Sequence, residues 1–167
     1  MGIKGKRFIV QGFGNVGFWA SRFIYKDEGK ITHIVEYNSA IYKKDGINVE
    51  EAKEYMVANG TFKGYENCDK IELKDPLKFL EEECDYIIPA ATEKSINKVN
   101  AEKLKCKAIF EGANGPTTYA AEEILIKRGI VCAPDLLVNG GGVTCSYFEW
   151  LKNIDHVAPG LMSKKWD

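Results

Sequence analysis

The chain has 167 residues, a formal net charge of −1 and hydrophobic residues at 45% of its positions, which suits one soluble domain with a sizeable core. This balanced charge provides no basic field that would attract nucleic acid or an anionic membrane surface. No apolar run is long enough to span a bilayer, and the five cysteines include no C-x-x-C pair, which argues against a disulfide framework or a zinc site. We therefore expect no nucleic-acid partner, no membrane contact and no bound metal.

The first predicted elements surround a glycine-rich turn. Residues 7–11 form an apolar run that predicts a strand, and Gly12, Gly14 and Gly17 follow it with the spacing G-x-G-x-x-G. Gly12 would let the chain turn sharply, Gly14 would let a diphosphate approach the backbone, and Gly17 would let a helix pack closely on the strand. The positive end of that helix would face the phosphates.

Apolar residues recur with helical spacing after the turn, at Val16, Trp19, Ala20, Phe23 and Ile24. This pattern predicts a helix with one buried face, in which the two aromatic side chains belong to the core. Gly29 would end the helix as a left-handed cap.

The next strand is predicted at 31–35 and is followed by Glu36, nineteen residues past Gly17. A dinucleotide site needs an acid near this point to accept hydrogen bonds from the adenosine ribose hydroxyls. Strand, turn, helix, strand and acid together favour a nucleotide site over a turn without a ligand, although Glu36 could also be a surface residue at a strand end.

The elements continue to alternate along the rest of the chain. A polar connection over 37–47 precedes a helix that Asn48 caps, and a mostly irregular stretch with a short edge strand follows it. In order, the sequence predicts helix 49–58, irregular stretch 61–73, short helix 76–82, strand 85–89, brief helix 101–104, strand 108–111, helix 119–128, strand 130–133, loop 135–142 and helix 143–153. Cys132 and Cys145 are predicted to fill the core.

This alternation predicts an α/β fold, a Rossmann-like doubly wound and mainly parallel sheet with helices on both faces. The polar and glycine-rich segments all follow predicted strands, at 12–17, 36, 90–94, 112–118 and 138–142. In open α/β sheets, ligands bind beyond the carboxyl ends of the strands. We therefore expect these segments to converge on one crevice.

Five motifs give the chain a resemblance to a known family. They read VQGFGNVG at 10–17, PAATEK at 89–94, EGANGPTT at 111–118, VNGGGVT at 138–144 and SYFEWLKN at 146–153. In this order they resemble the cofactor domain of the glutamate dehydrogenases, over about residues 5–160. The leucine, phenylalanine and valine dehydrogenases share the glycine turn, but the EGANGPTT run is more similar to the glutamate enzymes.

The resemblance implies reversible oxidative deamination of L-glutamate to 2-oxoglutarate and ammonia, with hydride transfer to NAD(P). It places Gly12, Gly14, Asn15 and Val16 at the diphosphate, Glu36 at the adenosine ribose, Ala91 and Thr92 along the cofactor, Asn114 at the nicotinamide ribose, Asn139 near the nicotinamide amide and Ser146 at the substrate carboxylate. Without the resemblance, Asn114 would be read as a turn residue, Asn139 as a loop cap and Ser146 as an ordinary helix serine.

The resemblance covers only the cofactor domain, so we expect residues 1–167 to be a single NAD(P)-binding domain without the substrate domain and the closing helices. The family's catalytic lysine and aspartate belong to that substrate domain, and no catalytic residue is expected in this chain, which should not oxidise glutamate alone. The complete enzyme would be a homo-hexamer of the cytoplasm or the mitochondrial matrix. Two alternatives stay open, an amino-acid dehydrogenase of the leucine, phenylalanine or valine type and a non-catalytic nucleotide-binding module.

Two positions depart from the family pattern. Tyr37 and its successors replace a Ser-Asp-Gly-Ser type loop, and Gly140 stands where alanine is usual. The first bears on coenzyme choice, because a 2′-phosphate would be repelled by Glu36 unless Lys43 or Lys44 compensated for the charge. We therefore expect NAD to be preferred, with NADP as a second coenzyme.

Overall fold

The computed structural model describes residues 2–154, which form seven strands, five α-helices and one 3₁₀ helix. In chain order the elements are β1 (Arg7–Gln11), α1 (Asn15–Lys26), β2 (Lys30–Val35), β3 (Ala40–Tyr42), α2 (Val49–Asn59), β4 (Lys70–Glu72), the 3₁₀ helix (Pro76–Glu81), β5 (Tyr86–Pro89), β6 (Ala108–Phe110), α3 (Tyr119–Lys127), β7 (Val131–Ala133), α4 (Asp135–Val138) and α5 (Gly140–Asn153).

The strands form one sheet in the order β4-β3-β2-β1-β5-β6-β7. β1 pairs in parallel with β2 on one side and with β5 on the other, and β5, β6 and β7 continue in parallel. β3 runs antiparallel to both β2 and β4 at one side of the sheet. From β1 the strands are added first on one side, as β2, β3 and β4, and then on the other side, as β5, β6 and β7. The switch point of the sheet is therefore at β1, where the glycine-rich turn leaves the strand.

Alternate residues of the strands face two separate cores. On one face, Phe8 and Val10 of β1 join a buried cluster that includes Val49 and Ala52 of α2. On the other face, Ile9 joins a cluster that includes the 3₁₀ helix and residues of α3. The doubly wound fold with layers on both faces is therefore confirmed. Among the described residues, no helix is long and apolar enough to cross a membrane.

The buried face of α1 differs from the predicted one. Trp19 and Phe23 are 46% and 60% exposed, whereas Gly17 and Ser21 are buried against the sheet. The Ser21 hydroxyl donates to the Gly17 carbonyl oxygen at 2.7 Å, which satisfies this polar group inside the interface. The prediction of aromatic core residues was wrong because the small residues, rather than the large ones, permit the close contact between α1 and the sheet.

The end of α1 is also different. Glu28, not Gly29, takes the left-handed conformation, with φ 62°. The Gly29 N–H donates to the Ile24 carbonyl at 2.9 Å and the Glu28 N–H donates to Tyr25 at 3.1 Å, the two bonds of a Schellman cap. Gly29 is needed for space instead, because a Cβ there would lie 2.5 Å from the Ile24 side chain.

Other local predictions also need correction. The connection over 37–47 contains β3, and 101–104 is a turn rather than a helix. The predicted loop over 135–142 is helical, since α4 occupies it and α5 begins at Gly140. Cys145 is exposed on α5, so it does not fill the core, and Cys132 is only partly buried.

Candidate functional site

The glycine-rich turn between β1 and α1 is closely packed on one side. Gly12 has φ +82°, and a Cβ there would lie 2.7 Å from the Ala90 carbonyl oxygen in the loop after β5. At Gly17, a Cβ would lie 1.9 Å from the Gly12 carbonyl oxygen. Both positions therefore require glycine, and the expected close packing of helix and strand at Gly17 is confirmed.

The other side of the turn is open. Gly14 is the N-cap of α1, and a Cβ added there would meet nothing within 4 Å. The helical ladder begins where Phe18 N–H donates to the Gly14 carbonyl at 3.0 Å. The N–H groups of Asn15, Val16 and Gly17 precede that ladder, at the positive end of a helix of 12 residues. This open end can accept an anion without a steric conflict.

Two side chains fasten the turn to its neighbours. The Phe13 N–H donates to the Glu36 carboxylate, which reaches the turn from the end of β2. The Lys53 ammonium, from α2, donates to the Phe13 carbonyl at 2.9 Å and lies 5.3 Å from the centre of the Phe18 ring. The acid that the sequence predicted is thus at the turn, and Lys53 brings to the same segment a cation that the sequence did not suggest.

A cavity of about 510 Å³ lies on the β2 side of the turn. It is bordered by the end of β1 at Gln11 and by the segments that follow β2 and β5, and it includes three of the predicted site residues, Glu36, Ala91 and Thr92. The segments from three neighbouring strand ends therefore converge here, as the sequence predicted.

Two buried polar atoms lie in the wall of this cavity without a protein partner. Gln11 is 4% exposed and its Oε1 makes no hydrogen bond, and the same holds for Oγ of Ser95, which is 8% exposed. A buried polar atom without a partner is costly, so this wall of the cavity contains two unsatisfied polar groups. Neither residue was predicted to belong to the site. The only available signal was that Gln11 is a polar residue at the end of an apolar strand.

A second cavity, of about 550 Å³, lies on the β6 side of the turn. It is bordered by Val16 of α1, by the loops after β5 and β6, and by the start of α5. Ala91 and Glu93 line both cavities, so the two spaces adjoin each other at the loop after β5. The predicted residues Asn114 and Asn139 line this second cavity.

The two asparagines contact each other. Asn139 Nδ2 donates to Asn114 Oδ1 at 2.7 Å, and it also lies 3.4 Å and 3.3 Å from the carbonyl oxygens of Gly112 and Ala113. One amide therefore binds three oxygens of the loop after β6. Ser146 is not brought into this group: it is exposed on α5, one turn beyond Val143, and does not line the cavity.

Lys43 and Lys44 do not lie near Glu36. β3 runs antiparallel to β2, so the chain returns to the end of the strands that lies opposite Glu36 before it reaches the two lysines. There, the Lys43 N–H donates to the Thr32 carbonyl. Four residues of strand separate Thr32 from Glu36, which corresponds to about 13 Å. These lysines therefore cannot compensate for the Glu36 charge.

The described residues contain no group of three or more His, Cys, Asp or Glu side chains that could hold a metal ion. Two thiols next to or within β6 and β7, outside both cavities, are also poor ligands and nucleophiles. Burial raises the pKa of Cys106 to about 12 and that of Cys132 to about 11, and neighbouring thiol and carboxylate charges add to this.

The fold and the crevice define the class of this protein: a Rossmann-like α/β domain whose glycine turn opens at the switch point of the sheet. The family model for the Glutamate/Leucine/Phenylalanine/Valine dehydrogenases matches residues 1–159. The chain belongs to this family.

Individual relatives agree with the family. The chain is 47% identical over 166 residues to the mitochondrial glutamate dehydrogenase of Dictyostelium discoideum, covering 99% of this chain and 33% of the relative. It is 44% identical over 152 residues to the NADP-specific glutamate dehydrogenase of Saccharolobus shibatae, covering 91% and 35%. The chain spans about a third of these relatives' lengths.

Among solved structures, the chain is similar to the hetero-hexameric glutamate dehydrogenase of Thermus thermophilus in its Leu-bound form. The TM-score is 0.81 at 26% sequence identity, and the match covers 93% of this chain and 36% of that one. This likeness confirms the predicted Rossmann-like architecture.

Proposed function

We propose that this chain is the coenzyme-binding part of an NAD(P)-dependent glutamate dehydrogenase, with residues 1–167 acting as one NAD(P)-binding domain. The observation that carries the proposal is the pair of adjoining cavities on either side of the glycine turn, which share Ala91 and Glu93. A dinucleotide has the matching form, with two nucleoside halves joined by a diphosphate. The two cavities together offer about 1060 Å³, from 510 and 550 Å³, slightly above the usual range of small-molecule sites, as a ligand with two nucleoside halves requires.

The diphosphate would lie at the open start of α1. Gly14 leaves space for it, and the N–H groups of Asn15 and Val16 supply donors that the helix itself does not use. Gly12 acts indirectly, since its conformation brings the turn against the loop after β5. These features fit an anionic linker and require no positively charged side chain at the phosphates.

The adenosine half would occupy the cavity beside Glu36. The Glu36 carboxylate can accept hydrogen bonds from the ribose hydroxyls, and Ala91 and Thr92 would lie along the ligand. Because Glu36 repels a 2′-phosphate, NAD is the proposed coenzyme, with NADP as a weaker second ligand.

The nicotinamide half would occupy the second cavity, with Asn114 at its ribose and Asn139 near its amide. A nicotinamide bound there would supply the acceptor for the hydride from the amino-acid Cα. The residues of this chain orient the acceptor and exclude water from one side of it. Ser146, farther along α5, would face the substrate carboxylate, and no residue of this chain is proposed to move a proton.

Equilibrium titration of the purified chain with NAD⁺ and NADP⁺ tests the proposal directly. We expect saturable binding of both, with NAD⁺ binding more tightly, and no formation of NADH when L-glutamate is added. Val57→Ala, a change at a residue of α2 that is 74% exposed and lines neither cavity, serves as a control for unspecific surface effects. If neither dinucleotide binds in a saturable way, the proposal is wrong.

The activity of the whole protein is a further part of the proposal. We propose L-glutamate and 2-oxoglutarate as its substrates, a homo-hexamer as its assembly, and the cytoplasm or the mitochondrial matrix as its location. One relative is named as a mitochondrial glutamate dehydrogenase, which supports the substrates and the second location, and another as a hetero-hexameric one, which supports a hexamer but not identical subunits. Rates of NADH formation by the whole protein with glutamate, leucine, phenylalanine and valine would decide the substrate, and a preference for one of the last three would replace glutamate.

A further inference from the structure

The loop after β6 carries Asn114, and its conformation is not determined by its own sequence alone. The loop is held from outside by α4, the short helix that follows β7. Asp135 is the first residue of this helix and Asn139, four residues later, is its C-cap, so their side chains lie one turn apart on the same side. Both point to the loop.

Asp135 is hydrogen-bonded to the loop at Gly115. Its carboxylate accepts from the Gly115 N–H at 2.8 Å, immediately after Asn114 in the chain. The second carboxylate oxygen accepts from the Leu136 N–H at 2.7 Å, which fixes the rotamer of the side chain. The Asp135 N–H donates to the buried Glu111 carboxylate at 3.0 Å, so the start of α4 is itself tied to the end of β6.

The opposite side of the same loop is fixed by a backbone contact. The Lys94 N–H, from the loop after β5, donates to the Gly115 carbonyl at 2.9 Å. Gly115 is thus held by both of its polar backbone atoms, between Asp135 and Lys94. Its φ of +54° is a left-handed conformation that needs glycine or an external restraint.

This arrangement determines which polar atoms remain for a ligand. Asn139 Nδ2 donates to Asn114 Oδ1, so the acceptor of Asn114 is already used. Among the hydrogen bonds of residues 2–154, none involves Asn114 Nδ2 or Asn139 Oδ1. The pair therefore keeps one amide donor group and one amide acceptor without a protein partner, on two residues that line the second cavity.

The geometry points to Asp135 as a positioning residue for the nicotinamide half of the coenzyme. It does not touch the ligand: its carboxylate holds Gly115, and thereby keeps Asn114 within reach of Asn139, with the Asn114 donor directed to the cavity. This inference rests on the proposed function, since it names a residue that prepares one half of that site. It differs from a general structural role because only one half of the ligand should depend on it.

The test compares two ligands and uses the purified chain. NAD⁺ contacts both cavities, whereas ADP contains the adenosine and the two phosphates but neither the nicotinamide nor its ribose. For Asp135→Ala we expect NAD⁺ affinity to fall about five- to tenfold, the size of one ordinary hydrogen bond, because Asp135 acts on the ligand only through the loop, while ADP affinity stays within about twofold. Leu136→Ala is the matched control, because this neighbouring side chain on α4 is 88% exposed.

Two further variants separate positioning from folding. Asp135→Asn keeps a side-chain oxygen for the Gly115 N–H, so it should restore NAD⁺ binding to within about threefold of the original. In an Asn114→Ala background, Asp135→Ala should have little additional effect, because its path to the ligand has been removed. If Asp135→Ala does not fold, Asp135→Ser, which keeps a favourable residue at the start of α4, replaces it.

The outcomes are distinct. Equal losses for NAD⁺ and ADP, or no loss for either, would overturn the positioning role while leaving the proposed function intact. An undiminished effect of Asp135→Ala in the Asn114→Ala background would also overturn it. Absence of any binding of either ligand to the unchanged chain would instead overturn the proposed function, and the inference with it.

Discussion

Gly17 lies directly against Gly12, so closely that a Cβ on Gly17 would stand 1.9 Å from the Gly12 carbonyl oxygen. No rotamer change can relieve this contact, because the opposing atom belongs to the backbone. The start of α1 and the end of β1 must therefore move apart if any side chain is introduced. The shape of the turn, and with it the direction in which the helix points, depends on this pair.

Gly17→Ala should therefore destabilise the fold. We expect a loss of about 1–3 kcal/mol in the free energy of unfolding, the range for an overpacked buried contact, together with weaker NAD⁺ binding as the helix start is displaced. Urea unfolding followed by circular dichroism measures the first effect, and a titration measures the second. A stability equal to that of the unchanged chain would show that the turn relaxes without cost.

Gly14→Ala should have the opposite effect, with little change in stability but weaker NAD⁺ binding. Gly14 has φ −71°, which any residue can adopt, and nothing lies within 4 Å of its Cβ position. We expect stability to change by no more than about 0.5 kcal/mol, while NAD⁺ affinity falls about tenfold or more because the methyl group occupies the proposed path of the diphosphate. Unchanged NAD⁺ affinity would show that the diphosphate does not lie at Gly14. Together the two variants separate a glycine needed for folding from one needed for binding.

Local patterns predicted those parts of the fold that have local causes. Asn48 caps α2 through its side chain, and Gly60 and Gly129 are left-handed at the ends of α2 and α3. Trp19 and Phe23 were misplaced because helical spacing identifies an apolar stripe but not the neighbour it faces. Gly17 must lie against the turn, and this contact rotates α1 so that Ser21 faces the sheet and the aromatic stripe faces outward.

The sequence likewise predicted only part of the candidate site. Glycine spacing and strand ends indicated the crevice, because the carboxyl ends of parallel strands meet at one edge. Lys43 and Lys44 were wrongly placed near Glu36. The three-residue strand β3 was too short to be recognised, and because it is antiparallel to β2 it carries the chain away from Glu36. Lys53 and Asp135 could not have been found, because each acts through a contact between distant segments.

Coenzyme preference gives a test of Glu36. Glu36→Gln keeps an oxygen that can accept from the Phe13 N–H but removes the negative charge. We expect the ratio of NADP⁺ to NAD⁺ affinity to rise about tenfold, because repulsion of the 2′-phosphate is removed and the charge-assisted bonds to the ribose hydroxyls become weaker. Competition titrations with both coenzymes measure the ratio.

Lys44→Gln is the control for this ratio, since it also changes one charge but lies at the opposite edge of the sheet. Screening at physiological salt makes a charge about 13 Å away nearly ineffective, so the ratio should not move. If NADP⁺ binds the unchanged chain more tightly than NAD⁺, or if Lys44→Gln shifts the ratio as much as Glu36→Gln, the role assigned to Glu36 is wrong.

The environment of His33 predicts a pH-dependent stability. His33 lies on β2 at 3% exposure, stacks on Tyr42 with ring centres 4.7 Å apart and meets Phe79 at 5.5 Å. Burial, helped by the positive charges of Lys70 and Arg7, lowers the pKa of His33 to about 4, from a usual value of 6.5. The unfolded chain therefore binds a proton at a pH at which the folded chain does not.

The sign of the effect follows from this difference. Well above pH 6.5 the histidine is neutral in both the folded and the unfolded state, so it does not lower the free energy of unfolding. As the pH falls from 6.5 towards 4, the unfolded state gains protons that the folded state does not, and the free energy of unfolding decreases. Between pH 7 and pH 5 the loss from this residue should be about 2 kcal/mol. Urea unfolding of the unchanged chain and of His33→Leu at both values measures it, because the carboxylates contribute equally to the two proteins and cancel in the comparison. An equal pH dependence in both proteins, or an NMR titration that places the His33 pKa near 6.5, would show that water reaches the ring and that this part of the sheet is less tightly closed.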